Sequence, residues 1–236
     1  MKRWHPPILL ALMAAAPWAL AGRPLSSDDA GTADAGTCQV ESWSEKAGSE
    51  RAFVIAPACG VLPGLEIGAD YTAPNPGDVI KAEAGLALKF APKSWKLGTG
   101  AGELGFGLKV SGAWAKPAEA AWQVTETGVL GLATLAVNDA FTLHANLGLA
   151  RERASGARAK VLNLALVWTP HDAVLLFAEA RANSMKATFG GTVSTVGGRY
   201  WLVKDMLGLD LTASQESGAG STTRWTVGLG WYGIGS

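Results

Sequence analysis

Along most of this chain apolar and polar residues alternate one by one, the period of a strand with two unlike faces and not of a helix. Ile80, Ala82, Ala84, Leu86, Leu88 and Phe90 form one series, with Lys81, Glu83, Gly85, Ala87 and Lys89 between them. Leu104, Phe106, Leu108, Val110, Gly112 and Trp114 oppose Glu103, Gly105, Gly107, Lys109 and Ser111. The same alternation runs through 141–149, 162–168, 207–211 and 225–231, and more weakly through 38–46, 51–59, 65–73, 127–137, 173–183 and 191–203. The pattern predicts an all-β protein of about twelve strands, roughly ten residues each.

The connections alternate as well. Asn138-Asp139, Thr169-Pro170-His171-Asp172 and Lys204-Asp205 read as short turns, whereas 115–121, 152–157, 183–190 and 215–222 are longer and more polar. Short turns at one end and longer loops at the other are the mark of a closed antiparallel transmembrane β-barrel of the bacterial outer-membrane kind. Residues 91–101 are the exception, too long for the short turn expected there.

Alternation alone leaves open which face meets water. In a secreted sandwich or lipocalin-like barrel the apolar face would point inward. Two features favour an apolar exterior. The polar series is rich in Gly and Ala, which suits a lumen, and the apolar series ends in aromatics (Phe90, Trp114, Phe141, Trp168, Trp225 and Trp231), as interfacial girdles do. Backbone groups in lipid must all be paired, so the last strand, near Ile234, is expected to pair with the first, near Cys38.

The start of the chain gives the compartment. Lys2 and Arg3 precede an apolar run, Ile8 to Ala16, and Ala19-Leu20-Ala21 ends it with small residues. This predicts a signal peptide over 1–21, a periplasmic lead-in or plug segment over 22–36, and the barrel over 37–236. The leader carries two of the 20 basic residues and none of the 20 acidic ones, so the remainder of the chain is nearly balanced in charge. That balance argues against a nucleic-acid partner and leaves outer-membrane lipid and a small-molecule solute as the expected ones.

In an exported chain disulfides persist. If Gly48-Ser49 is a two-residue loop, Cys38 and Cys59 fall directly opposite each other, and Gly at the first loop position suits a type II′ turn. A Cys38–Cys59 disulfide is expected, although the same register opposes Lys46 to Arg51. Two cysteines without neighbouring histidines make a poor zinc site.

The segments "RPLSSDDAGTADAGTCQVESW" (23–43) and "VIAPAC" (54–59) resemble the barrels grouped under the label "MetA pathway of phenol degradation", through Pro24, Leu25, Asp28, Asp29, Ala30, Gly36, Gln39 and Glu41. That resemblance covers about forty residues. It implies kinship with fatty-acid-transporter-type barrels and passage of small hydrophobic or aromatic molecules. Within the lead-in, Asp28 and Asp29 are plug or latch candidates that could pair with inward cations. The plainer alternative is a flexible periplasmic tail.

Candidate lumen-facing residues are Glu41, Lys81, Glu83, Lys89, Glu103, Lys109, His144, Glu179, Arg181, Asp210 and Arg224, with Glu66 and Asp70 on the same parity. Their mixed signs fit either a solute pathway or a self-neutralising filling, and argue against strong ion selectivity. A lipid hydrolase needs a Ser/His pair. Outer-membrane hydrolases place Ser two residues after His on a strand. Here His144 is followed at that spacing by Asn146, on a face that parity points inward, so no enzyme is expected. No motif for a cofactor or metal is present; the glycines of 98–107 lie in a β context without a helix after them. The leading expectation is a passive channel or transporter. A structural barrel without an open pore is the alternative, and a lipid-modifying enzyme a minor third.

Overall fold

The structure, a computed structural model, describes residues 25–217 and 222–235. The expected leader lies outside them. In chain order the strands are β1 (Cys38–Ala47), β2 (Glu50–Leu62), β3 (Leu65–Pro74), β4 (Ile80–Phe90), β5 (Lys96–Thr99), β6 (Gly102–Pro117), β7 (Gln123–Ala136), β8 (Phe141–Glu152), β9 (Arg158–His171), β10 (Val174–Asn183), β11 (Val193–Val203), β12 (Leu207–Glu216) and β13 (Arg224–Ile234). Twelve of them form a closed antiparallel barrel in sequence order, with β4 paired to β6 and β13 paired to β1. Closure leaves no open sheet edge, which is what a lipid surround requires of a β protein.

β5 stands outside the ring. After a 3₁₀ turn at Lys93–Trp95 it pairs with the first residues of β6, from Lys96↔Gly105 to Thr99↔Gly102. This resolves the over-long connection at 91–101. β6 runs past the end of β4, and β5 folds back to cover the backbone groups that β4 leaves free on that side.

The apolar series faces outward. Leu86, Leu147, Leu162, Leu211 and Val227 are all exposed, Leu147 to 67%. Aromatic side chains ring this band at both ends: Phe90, Phe141, Trp168, Tyr200 and Trp231 at one, Phe53, Tyr71 and Trp225 at the other. Phe141 and Trp168 are cross-strand partners with stacked rings 6.4 Å apart. The charged series faces inward, where Glu41, Glu66, Asp70, Lys89, Lys109, Glu179, Arg199 and Asp210 are buried. A soluble barrel would show the opposite distribution, so this barrel spans a membrane. Among the described residues no helix is long and apolar enough to do so.

Strand β1 begins and β13 ends at the same rim, called proximal below, and the opposite rim is distal. At the distal rim Gly48-Ser49 closes the β1–β2 hairpin in the expected register, Cys38↔Cys59 through Ala47↔Glu50. Gly48 takes φ +60° while Ser49 does not enter the left-handed region, as a type II′ turn demands. Cys38 and Cys59 are joined by a disulfide at the proximal rim, their Cα atoms 4.0 Å apart. Lys46 does oppose Arg51 beside the turn.

Candidate functional site

The lumen is the candidate site, and the lead-in runs through it. From the proximal rim the chain turns inward beside Cys38 and Cys59. Ala35 bridges Gly60, Gly36 donates to the Gly60 carbonyl at 2.8 Å, and Gly60 donates to the Thr37 carbonyl at 2.9 Å. A side chain at Gly60 would collide with the Ala33 and Asp34 carbonyls, so only glycine admits this close approach. The segment then crosses from the β2–β3 wall to the β9–β10 wall. Leu25, Ser27, Asp28 and Ala30 end up buried.

Buried backbone needs partners, and the barrel wall supplies them from side chains. The Glu66 carboxylate accepts from Ala33 N–H at 2.8 Å, and Thr134 Oγ1 accepts from Ala30 N–H at 2.8 Å. Asn146 accepts from Asp28 N–H at 2.9 Å and donates to the Asp28 carbonyl at 2.8 Å. Glu179 accepts from the N–H groups of Ser26 and Ser27 and from the Ser27 hydroxyl, at 2.8–3.1 Å. At the far end Leu25 packs on Ala165, Val167 and Phe177, while Ala30 sits against Leu130, Leu132 and Ala150. The wall side chains come from β3, β7, β8 and β10.

The two aspartates meet two lysines. Lys109 Nζ lies 2.6 Å from Asp28 Oδ2, and both side chains are buried. Lys89 Nζ lies 3.0 Å from Asp29 Oδ1 and 3.6 Å from Glu66 Oε1, with Asp29 half exposed. Lys89 and Lys109 are themselves cross-strand partners on β4 and β6, so the lead-in brings two adjacent carboxylates to two adjacent ammonium groups. Like charges directly opposed are unfavourable until countered in this way.

A second cluster stitches the seam where the chain's ends meet. Arg199 on β11 holds Asp210 on β12 through two parallel bonds of 2.7 Å, and its Nη2 is 3.7 Å from Glu41 on β1. Tyr232 on β13 donates to Glu41, and the guanidinium lies 4.8 Å over the rings of both Trp201 and Tyr232. Four strands around the closure are thus tied to one planar cation, a task for which lysine has no equivalent geometry.

Toward the distal rim the lumen holds Asp70, Glu83, Arg181 and the pair Arg224–Glu45, 2.5 Å apart. Arg181 lies within electrostatic reach of Glu179, Glu45, Arg224 and Glu216, so signs stay mixed here too.

Two expected lumen residues are placed elsewhere. Lys81 sits at the β4 bulge between Ile80 and Ala82, which breaks the alternation. Its side chain is exposed and donates to the Pro76 carbonyl of the preceding loop. Glu103 keeps the inward parity but lies at the proximal rim, beyond the end of β4, where it pairs with Lys96 at 2.7 Å and stays 55% exposed. Sequence reasoning also passed over Arg199, Thr134, Glu45 and Tyr232, and gave Asn146 no role in the lumen. For Arg199 the signal was available: Val196, Tyr200 and Leu202 mark the outward parity, but Gly197-Gly198 interrupts it.

His144 points inward, bonded through Nδ1 to Thr134 at 2.9 Å. Since Thr134 already accepts from Ala30, its single hydrogen is available to His144. The residue two places on, Asn146, is fully buried against the lead-in. No hydrolytic pair is assembled by these residues. Among the described residues no group of three His, Cys, Asp or Glu side chains is placed to hold a metal ion.

The fold is similar to solved outer-membrane barrels. The KdgM porin matches with a TM-score of 0.59 at 8% identity, covering 82% of this chain and 98% of that one. The NanC porin matches with 0.60 at 6% identity and the same coverage. Outer membrane phospholipase A from Escherichia coli matches with 0.51 at 12% identity, covering 88% and 92%. Identities this low carry the fold and leave the chemistry to the residues themselves. A search of curated protein sequences found no match. A family model does match, over residues 8–230, nearly the whole chain, and on that basis the chain belongs to the family described as Uncharacterised conserved protein UCP029691.

Proposed function

We propose that this protein is a passive channel of the bacterial outer membrane for small solutes, with residues 25–36 as its plug. The observation that carries the reading is the inside-out barrel: twelve closed strands, apolar outside, with polar and charged groups lining a lumen. The porin-like fold supports it, and the KdgM porin has been solved with oligogalacturonate, a soluble solute. By the usual orientation the proximal rim is periplasmic, so the lead-in plugs from the periplasmic side. The resemblance of residues 23–43 and 54–59 to phenol-degradation-type barrels supports a small aromatic or hydrophobic solute. Mixed charges in the lumen favour neither ion sign.

The buried lead-in favours a second reading, a barrel that stays shut and serves a structural role. Single-channel conductance in a planar bilayer separates the two. The full-length refolded protein is expected to open in discrete steps, with openings more frequent in D28N/D29N, and to show block by a small aromatic such as phenol. A folded barrel that stays silent in both forms removes the channel reading.

A further inference from the structure

The lumen contains more carboxylates than the seated plug requires. Asp70 on β3 is buried, its carboxylate flat against Gly85, where an added Cβ would lie 3.0 Å from its Cγ. Its Oδ1 has no hydrogen-bond partner. A buried carboxylate oxygen without a partner is costly and calls for an explanation. The cation that acts on Asp70 is Lys109, the lysine that the plug's Asp28 holds. Lys89 repeats the arrangement with its second partner already near: Asp29 of the plug at 3.0 Å, Glu66 of the wall at 3.6 Å.

Each lumen lysine therefore has one carboxylate on the plug and one on the wall. Withdrawing the plug would otherwise strand two neighbouring ammonium groups in a confined space, and the plug would be locked in. We infer that Lys109 and Lys89 form a two-position charge switch: with the plug seated they are held by Asp28 and Asp29, and with it withdrawn they transfer to Asp70 and Glu66. Asp70 stabilises the open lumen and the plug carboxylates the closed one, while Glu66, which also accepts from Ala33 N–H of the seated plug, serves both. The lysine side chain is long enough to swing between partners on one face of the wall, and β3, β4 and β6 are adjacent strands. The inference rests on the plug reading of residues 25–36 and gives its regulation.

Asp70 and the plug carboxylates must then act with opposite sign on plug position. Ser27 is buried in the lumen, so a cysteine there reports withdrawal by its rate of reaction with a small neutral maleimide, the native disulfide being intact. In the full-length refolded protein, S27C/D28N is expected to label faster than S27C by about tenfold, the scale of one charged hydrogen bond. S27C/D70N is expected to label slower, by a similar factor. If D70N does not fold, S27C/D70A carries the same expectation; Glu66 does not serve this test, because its carboxylate also accepts from Ala33 N–H of the plug. Equal or faster labelling with the wall carboxylate neutralised overturns the switch, because a residue that merely supports the wall would loosen the plug when removed. Conductance read in parallel keeps the two proposals apart. Silence with opposite-signed labelling retains the switch and removes the channel.

Discussion

Asn146 and Asp28 close on each other as a pair: the amide of Asn146 takes the N–H of Asp28 and returns a hydrogen to its carbonyl, at 2.9 and 2.8 Å. One wall side chain thereby satisfies both backbone groups of one lead-in residue. Asn163 adds a further contact to the Asn146 oxygen at 3.4 Å. Replacing Asn146 with Leu leaves both Asp28 backbone groups buried and unpaired, a loss of about 1–3 kcal/mol for each group. Hydrogen exchange across residues 25–30 should accelerate strongly while the barrel strands keep their protection. Unchanged exchange would mean that Asn146 does not hold the segment.

Gly60 tests the same segment by volume instead of charge. Gly60→Val introduces a side chain where the Ala33 and Asp34 carbonyls now lie. The lead-in is expected to be pushed from the wall at its point of entrance, giving more frequent channel openings. β2 itself should tolerate the change, since a β-branched residue suits a strand. Wild-type opening behaviour in this variant would contradict the close approach.

At the seam, Arg199→Lys keeps the charge but loses the two-bond grip on Asp210 and the ring contacts. The expected loss is about 2–4 kcal/mol, since Asp210 and Glu41 remain buried with a poorer partner. It should be visible as a lower temperature for the gel shift between folded and heat-denatured barrel. Arg199→Met should fall further.

The outward face of β8 offers a test that a soluble protein would pass unnoticed. Leu147 is exposed near the middle of its strand. Leu147→Lys should cost about 2–4 kcal/mol of stability in lipid, as charges on the lipid face at mid-depth do. Refolding into vesicles of two thicknesses, monitored by intrinsic tryptophan fluorescence, measures it. No penalty would imply that this face meets water.

For the disulfide, alkylation of the denatured protein should label neither Cys38 nor Cys59 until a reductant is added. The double Ser variant should keep the barrel, because the β1–β2 ladder continues through nine further pairs from Gln39↔Ala58 to Ala47↔Glu50. Its stability should drop by about 2–3 kcal/mol, the usual scale for a bridge closing a loop of this size.

Much of the barrel was legible because its information is local. Strand faces follow from single alternation, and the Cys38–Cys59 pairing follows from counting around Gly48-Ser49. Alternation fails where the backbone adds a residue, which is why Lys81 was expected in the lumen and stands at a bulge. It also says nothing of height along a strand, so Glu103 was given the correct parity and the wrong depth. Trp43 shows the limit of treating aromatics as girdle residues: it faces inward, fully packed on Val54 and Ala56, with its indole N–H donated to Glu45. The lead-in's composition marked Asp28 and Asp29 as able to meet inward cations. Which cations depends on strand tilt and barrel closure, contacts spanning 60 to 81 residues that no local pattern records.

On the proposed plug reading, residues 25–36 form a plug covalently continuous with β1, joined at Thr37 beside the disulfide rim. It therefore competes for the lumen as a tethered ligand, at an effective concentration on the order of millimolar whatever the amount of protein. Closure is unimolecular and needs no partner. Any solute that opens the barrel by taking the plug's place must reach that concentration or bind correspondingly better, and a free peptide copy of residues 25–36 would face the same threshold.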